Sequence, residues 1–238
     1  MKIDVLTYNE HIDTEAFRSK TAVVIDVLRC TSVMATALSN HASRIIPVLE
    51  PEDAFKLADS IGRDSCVIGG ERGCNKVPGF DFGNSPLEYT EDAVKGKTVI
   101  MSTSNGTAAI GAVRLADTVL IGTIPNSGAV AKAAAELGSD VLILCSGTNR
   151  KPSADDYCAA GSIIKKFSQI VPECELSDLA LACVHLFDNL KNGSFDLMKT
   201  FHCHRLASLG YGSDIEYCLK DNFLDVVPVY RNGEIKSL

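Results

Sequence analysis

Short apolar runs rich in β-branched residues alternate with Ala-rich amphipathic stretches along most of the chain. Short β-branched runs are typical of buried strands, and longer segments with apolar residues at helical spacing indicate helices. The alternation predicts an α/β fold with a largely parallel sheet and helices on both faces. Predicted strands span 22–27, 44–49, 66–70, 98–102, 118–122 and 140–145. Predicted helices span 31–39, 51–60, 107–115, 127–137 and 154–167.

The later part of the chain has a different pattern. Residues 178–219 are predicted to be helical with a break at Asn192-Gly193, and residues 222–230 are predicted to form a strand closed by a turn at 231–233. Since no Ser/Gly/Pro-rich linker separates two halves, we expect one domain over residues 1–238. Two lobes divided near 150–180 are the competing organisation. For the first predicted helix, Thr31 or Ser32 is the expected N-cap.

Composition narrows the class of protein. The 238 residues are 46% hydrophobic and 22% charged, which is ordinary for a globular protein and excludes a disordered or low-complexity chain. The net charge is −7 and there is no basic run, so we expect neither nucleic acid nor an anionic membrane as a partner. The apolar runs are shorter than a membrane span, and the first residues turn acidic too soon for a signal peptide, so we expect a cytoplasmic protein. The sequence leaves open whether the chain forms a homo-oligomer.

The nine cysteines include no CxxC pair, and most lie beside apolar residues. We therefore expect reduced thiols that pack as small core residues. His202-Cys203-His204 resembles metal-ligand spacing, but no second pair follows at a zinc-ribbon distance, so zinc is disfavoured.

Polar residues gather immediately after the predicted strands. Because ligands in open α/β sheets bind at the carboxyl ends of the strands, these segments are the candidate site. They all carry carboxylates, arginine, or glycine beside Ser and Thr. The segments are 26–32, 71–73 with 79–86, 102–107, and 146–148 with 153–156.

These residue types suit metal-assisted chemistry on a phosphate ester. Arg29 and Arg72 each offer a planar fork for phosphate, sulfonate or carboxylate. The start of the predicted helix near residue 107 would present N–H groups to an anion. Four carboxylates are the oxygen ligands that Mg²⁺ prefers. The candidate N–H residues are Ser104, Asn105, Gly106 and Thr107, and the candidate metal ligands are Asp26, Glu71, Asp155 and Asp156.

Each feature also has a purely structural interpretation. Asn105-Gly106 is typical of a turn, the arginines could form surface ion pairs, and acids are common at helix starts such as Asp155-Asp156. Asp26 and Glu71 favour function more strongly, because an unpartnered carboxylate at the end of an apolar strand is costly to bury.

Two other function classes stay open on the residues alone. Cys66 and Arg72 have the C-x5-R spacing of cysteine-dependent phosphatases, although Cys66 is predicted to lie inside a strand. The strand-end residues could instead form a binding module that captures a small phospho-acid without catalysis. The GxGxxG, GxxxxGK[ST], GxSxG and HExxH motifs do not occur, so nucleotide-binding, serine-hydrolase and zincin chemistry are unsupported.

Four blocks together resemble the 2-phosphosulfolactate phosphatase family over nearly the whole chain. They are Ile25-Asp-Val-Leu-Arg-Cys-Thr-Ser32, Gly70-Glu-Arg-Gly73 with Gly79-Phe-Asp-Phe-Gly-Asn-Ser-Pro86, Thr103-Ser-Asn-Gly-Thr107, and Ser153-Ala-Asp-Asp156. Cys30 departs from the small residue that is usual there.

The resemblance implies a Mg²⁺-dependent enzyme with an α/β fold unlike those of the common phosphatases. The implied reaction converts (2R)-phospho-3-sulfolactate to sulfolactate and phosphate, a step towards coenzyme M in methane-forming organisms. A related small phospho-acid is the implied substrate in organisms that make no coenzyme M. Such an anionic substrate requires a locally cationic site within an acidic protein.

The mechanism expected from the strand-end carboxylates has Mg²⁺ held by Asp26, Glu71 and one or both of Asp155 and Asp156. Arg29, Arg72 and the N–H groups of residues 104–107 would hold the substrate's anionic groups. Asp156 or Asp81 would act as general base towards water, with Asp26 as nucleophile as the alternative.

Overall fold

The structure, a computed structural model, describes residues 1–8 and 12–238. The first residues, used above to judge the signal peptide, include 9–11, which lie outside the described residues. The strands are β1 (Lys2–Thr7), β2 (Thr21–Ile25), β3 (Arg44–Pro47), β4 (Cys66–Arg72), β5 (Asn75–Lys76), β6 (Thr98–Ser102), β7 (Thr118–Gly122), β8 (Val141–Cys145), β9 (Glu175–Leu176), β10 (Pro228–Arg231) and β11 (Glu234–Ser237). The α-helices are α1 (Cys30–Ser39), α2 (Pro51–Ile61), α3 (Glu91–Val94), α4 (Gly106–Ala112), α5 (Ser127–Leu137), α6 (Ala154–Ile170), α7 (Asp178–Lys191), α8 (Phe201–Ser208) and α9 (Gly212–Leu219).

The strands form one sheet in the order β5-β4-β6-β3-β11-β10-β7-β2-β8-β1-β9. Strands β7, β2, β8, β1 and β9 pair in parallel, and so do β3, β6 and β4. The hairpin β10–β11 lies between the two groups and pairs antiparallel with β7 on one side and β3 on the other. The two parallel groups therefore run in opposite senses along the sheet.

The sheet is strongly curled. In a flat sheet, β2 and β4 would lie about 29 Å apart, because six steps of roughly 4.8 Å separate them. Asp26, just after β2, and Glu71, on β4, nevertheless line the same pocket. Strand twist accumulates across a wide sheet, and here the curvature brings strand ends from the two parallel groups together.

Helix α1 occupies the inside of this curl. Nine of its ten residues are buried, as expected for a helix enclosed on all sides. Its Val33 and Met34 pack with Val24 of β2 and Val99 of β6 in one apolar cluster. The neighbours of Val24 on β2, Val23 and Ile25, point into the opposite cluster, which α5, α6 and α7 cover. Successive side chains of β2 therefore pack into two different apolar clusters, one on each face of the sheet.

The predicted fold class is confirmed, with a mostly parallel sheet and helices on both faces. Strands 98–102 and 118–122 and helix 127–137 have the predicted bounds. Strand β1 is a finding that the sequence pattern did not predict: only Ile3 and Val5 of its residues are buried. The predicted strand 222–230 is wrong at its start, since only its end belongs to β10 and the turn continues into β11.

The turn after β2 corrects the predicted helix start. Helix α1 begins at Cys30, so the expectation of Thr31 or Ser32 as N-cap is wrong. The Thr31 N–H donates to the Asp26 carbonyl oxygen at 2.9 Å, and the Asp26 N–H donates to Thr31 Oγ1 at 3.1 Å. Ser32 Oγ donates to the Val27 carbonyl oxygen at 2.8 Å. Both hydroxyls therefore brace the turn that presents Asp26 instead of capping the helix.

None of the helices in the described ranges combines the length and the apolar character that spanning a bilayer requires. The organisation as one domain over residues 1–238 stays a prediction.

Candidate active site

A small pocket lies where β2, β4, α4 and α8 meet, and we call it the acidic pocket. Its volume is about 30 Å³. Four predicted site residues line it: Asp26, Arg29, Glu71 and Asn105. Its other lining residues are Leu28, Cys74, Asn84, His202 and Leu206.

Two buried carboxylates, Asp26 and Glu71, define the chemistry of this pocket. Glu71 Oε1 accepts from the Ser104 N–H at 2.8 Å, and its Oε2 accepts from the Cys74 N–H at 2.7 Å. Asp26 Oδ1 accepts a long hydrogen bond of 3.4 Å from the Cys30 N–H. Burial, and next the negative charge of Glu71, raise the pKa of Asp26 to about 7. A bound cation would relieve this repulsion.

The start of α4 is glycine because it approaches Asp26 closely. A Cβ on Gly106 would lie 2.9 Å from Asp26 Oδ2 and 2.5 Å from Cys30 Sγ. The N–H groups predicted to cradle an anion are partly engaged: that of Ser104 donates to Glu71, and that of Thr107 donates to Thr103 Oγ1 at 3.4 Å. The structure thus places these residues beside the carboxylates and gives two of their N–H groups protein partners.

Buried Asp155 and partly buried His202 form a pair at the edge of the acidic pocket. Asp155 Oδ2 lies 2.9 Å from His202 Nδ1, and Asp155 Oδ1 accepts from Ser153 Oγ. Burial lowers the pKa of His202. The hydrogen bond to Asp155 and the negative charge of Asp155 together raise it by more, so the pKa lies above the ordinary value for histidine. Asp155 therefore holds an imidazole that faces the pocket, with its protonated form favoured.

Asp156 braces the loops after β2 and β8. Its Oδ1 accepts from the Val27 N–H at 2.9 Å. Its Oδ2 accepts from the Gly147 N–H at 2.9 Å and from Ser146 Oγ at 3.2 Å. Burial raises the pKa of Asp156 well above its ordinary value, with the charge of Asp155 adding to the effect. Three donors occupy this carboxylate, which therefore ties two strand ends together.

Arg29 is fully buried and neutralised. Its Nη1 lies 2.6 Å from Asp214 Oδ2, its Nη2 donates to the Cys74 carbonyl oxygen at 3.1 Å, and its guanidinium stacks 3.9 Å from the ring centroid of Tyr211. The Asp214 carboxylate also accepts from Ser85 Oγ at 2.6 Å. Helix α9 thus anchors both the turn after β2 and the 79–86 segment.

Arg72 and Asp81 do not line the acidic pocket. Arg72 donates to the Glu71 carbonyl oxygen at 2.8 Å and to Ser102 Oγ at 2.9 Å. Asp81 Oδ1 pairs with Arg63 Nη2 at 2.6 Å, and its Oδ2 accepts from the Ile68 N–H at 2.8 Å. Their predicted roles, in substrate binding and general base catalysis, stay predictions without support from this geometry.

The cysteine-phosphatase alternative is contradicted. Residues 66–72 form strand β4 and not a loop, which separates the ends of this segment by about 20 Å. Cys66 Sγ contacts the Gly62 carbonyl oxygen at 3.4 Å, and burial raises the pKa of the Cys66 thiol. The thiol is therefore inert and distant from Arg72. Seven of the nine cysteines are buried, Cys74 and Cys174 are half-buried, and none of the nine forms a disulfide.

The four predicted metal ligands are not assembled into one set. In the described ranges, no three His, Cys, Asp or Glu side chains are arranged to hold a metal ion. The acidic pocket instead offers Asp26 and Glu71 together with the amide of Asn84. Asn84 Oδ1 is the only buried side-chain polar atom, among the residues described, that lacks a hydrogen-bond partner. Two carboxylates and one amide oxygen fit Mg²⁺, which binds oxygen ligands and retains several waters.

Sequence reasoning missed three residues of this site. Asn84 lies within the 79–86 segment, which was identified as a motif, but no role was predicted for Asn84 itself. His202 was considered only as a zinc ligand, and Asp214 gave no signal, because its partner Arg29 lies 185 positions away. A search for unmatched buried charges could have suggested a partner for Arg29, but not which one.

Comparison with known proteins finds one family and several similar relatives. The family model of 2-phosphosulpholactate phosphatase matches residues 6–233. A relative from Clostridium acetobutylicum is 43% identical over 235 residues, covering 99% of this chain and 100% of the relative. A relative from Caldanaerobacter subterraneus subsp. tengcongensis is 42% identical, covering 97% of this chain and 95% of the relative. A third, from Clostridium novyi, is 42% identical with 99% coverage of both chains. All three bear the name "Probable 2-phosphosulfolactate phosphatase".

The Arg29–Asp214 pair leads to a stability prediction. We expect Arg29→Met alone to lower the free energy of unfolding by about 3–5 kcal/mol, because it leaves Asp214 charged and buried without its partner. The double variant Arg29→Met/Asp214→Asn should recover much of that loss. Urea denaturation of the single and double variants measures this coupling. Additive losses would contradict a directly coupled pair.

The raised pKa of Asp26 leads to a pH prediction for the metal-free protein. The folded state binds more protons than the unfolded state between about pH 4 and 7, so stability should fall as pH rises through that window. Asp26→Asn removes the buried charge. In EDTA this variant should exceed the parent's melting temperature at pH 8, and the excess should shrink towards zero as the pH falls to about 4. A difference of equal size at both pH values would contradict the assignment.

Proposed function

The chain belongs to the 2-phosphosulfolactate phosphatase family and is a phosphoric monoester hydrolase; from that premise we propose that it hydrolyses the phosphate ester of a small anionic acid with Mg²⁺ as cofactor. The proposed reaction converts (2R)-phospho-3-sulfolactate and water to (2R)-3-sulfolactate and phosphate. The observation that carries the Mg²⁺ requirement is the partnerless Asn84 Oδ1 in a pocket with two buried carboxylates.

Asp26, Glu71 and Asn84 would hold Mg²⁺. When bound, Mg²⁺ supplies positive charge that neutralises the phosphoryl oxygens and acidifies water. The backbone N–H groups of Cys74 and Ser104 fix the orientation of Glu71, and the turn braced by Thr31 fixes Asp26. This chain therefore presents its oxygen ligands already oriented.

His202 is the proposed proton donor to the leaving oxygen. The departing alkoxide of a hydroxy acid is strongly basic, so its release benefits from protonation as the P–O bond breaks. Asp155 holds Nδ1 of the imidazole, which leaves Nε2 as the nitrogen that can donate. Asp155 thus acts as a positioning residue, in contact with His202.

The general-base role proposed from the sequence for Asp156 or Asp81 has no support in their contacts. Asp156 does not line the acidic pocket and accepts from three protein donors, and Asp81 is paired with Arg63. The non-catalytic binding module is the weaker alternative, because two carboxylates facing one pocket would repel an anionic ligand unless a cation joined them.

Metal removal tests the proposed cofactor. Phosphate release from 2-phosphosulfolactate should stop in EDTA and return when Mg²⁺ is added in excess. Glu71→Gln should lower kcat by at least about 10³-fold, the scale of losing a major electrostatic group. Cys66→Ser serves as the control and should keep normal turnover. Turnover that persists in EDTA, or near-normal kcat of a folded Glu71→Gln at saturating Mg²⁺, would place the cofactor site elsewhere or refute it.

The role of His202 is tested with two leaving groups. His202→Gln should lower kcat on 2-phosphosulfolactate by about 10²–10⁴-fold, since general acid catalysis contributes on that scale. On p-nitrophenyl phosphate, whose leaving group needs no proton, the loss should be roughly tenfold or less. His204→Gln is the matched control, because His204 is exposed on the same helix. Equal losses on both substrates would make His202 a structural residue.

A further inference from the structure

The acidic pocket is too small for the whole substrate. One water needs about 10–15 Å³ of such volume. A pocket of about 30 Å³ therefore holds a cation with a water or two. A phosphorylated organic acid is several times larger, so its acid portion must lie outside this pocket.

A second cavity adjoins the acidic pocket at His202, which lines both. Its volume is about 470 Å³, within the range of about 300–1,000 Å³ that is usual for small-molecule sites. The loop between β8 and α6 forms one wall and the start of α8 forms the other. We call it the tail pocket.

The tail pocket differs from the acidic pocket in charge. Of the described residues that line it, none is acidic. Lys151 supplies a positive charge, and Asn149 supplies a side-chain amide that can donate hydrogen bonds. The hydroxyls of Thr148 and Thr200 donate within the protein, to Ser153 Oγ and to the Leu197 carbonyl oxygen. Such a lining suits a carboxylate or a sulfonate, whereas the acidic pocket requires a cation before it can accept an anion.

The loop that carries Lys151 is held in a fixed shape. The Thr148 N–H donates to the Lys151 carbonyl oxygen at 2.9 Å, and the Lys151 N–H donates to the Thr148 carbonyl oxygen at 3.1 Å. Gly147, at φ +69°, lies so close that a Cβ would come within 2.2 Å of the Lys151 carbonyl oxygen. The backbone at Lys151 is therefore pinned to the wall of the cavity.

Resting on the proposed function, we propose that the tail pocket binds the carboxylate and sulfonate of the substrate's acid portion, with Lys151 as the specificity-determining cation. The phosphate then points into the acidic pocket. The ester oxygen joins these two parts and lies at His202, the residue that both cavities share.

Two substrates and one variant test this proposal. Lys151→Ala should raise KM for 2-phosphosulfolactate about tenfold, with kcat within about twofold of the parent, because the lost contact binds the ground state and transition state alike. KM for p-nitrophenyl phosphate, which has no acid tail, should not change. Lys132→Ala is the control, since Lys132 is an exposed lysine on α5. An equal rise of KM for both substrates, or none for either, would overturn the proposal.

Calorimetry with sulfolactate alone separates this proposal from the proposed function. The parent should bind sulfolactate, and Lys151→Ala should weaken that binding about tenfold while leaving the affinity for inorganic phosphate unchanged. Absence of phosphate release by the parent with Mg²⁺ would refute the proposed function and leave this binding result intact. Unaltered sulfolactate affinity in Lys151→Ala would refute the tail pocket even if the parent is an active phosphatase.

Discussion

Enclosing α1 inside one curled sheet is the constraint on which the rest of the structure depends. A helix with nine of ten residues buried needs apolar neighbours on every side. The sheet provides them by curving round the helix, with β2 and β7 from one parallel group and β3 and β6 from the other. Asp26 and Glu71, six strands apart in the sheet, are brought together as a consequence. The acidic pocket therefore forms because the sheet packs around an apolar helix.

Hydrogen-bond saturation divides the buried carboxylates into two kinds. Asp155, Asp156 and Asp214 each contact protein donors through both oxygens, and each joins elements that are distant in sequence. Glu71 also accepts one backbone N–H on each oxygen. Asp26 accepts a long bond of 3.4 Å from the Cys30 N–H, and burial together with the charge of Glu71 raises its pKa. Native proteins rarely leave buried polar groups without partners. Among the described residues the exception is Asn84 Oδ1, which lines the same pocket as Asp26 and Glu71, where an added cation would give it a partner.

The sequence predicted much of the fold and part of the site for identifiable reasons. Strands such as 98–102 are continuous apolar runs that end in polar residues, so both their bounds and their functional ends were visible. The antiparallel pairing of hairpin β10–β11 with its neighbours was not visible in the sequence, because β10 and β7 lie about 110 positions apart in the chain. Arg29 was predicted to bind substrate, but its charge is paired with Asp214, a partner that depends on tertiary packing. His202 could not be assigned, since only the folded chain brings α8 beside Asp155.

The hairpin β10–β11 also governs the order in which this molecule can be completed. Strands β3 and β7 are synthesised well before residues 228–237, and until those residues leave the ribosome each has an exposed edge of N–H and C=O groups. The two parallel groups can collapse separately around local βα units, but the final closure is a long-range event. Nascent chains therefore pass through a stage with two open edges, a stage at which edge-to-edge aggregation and chaperone binding compete with closure.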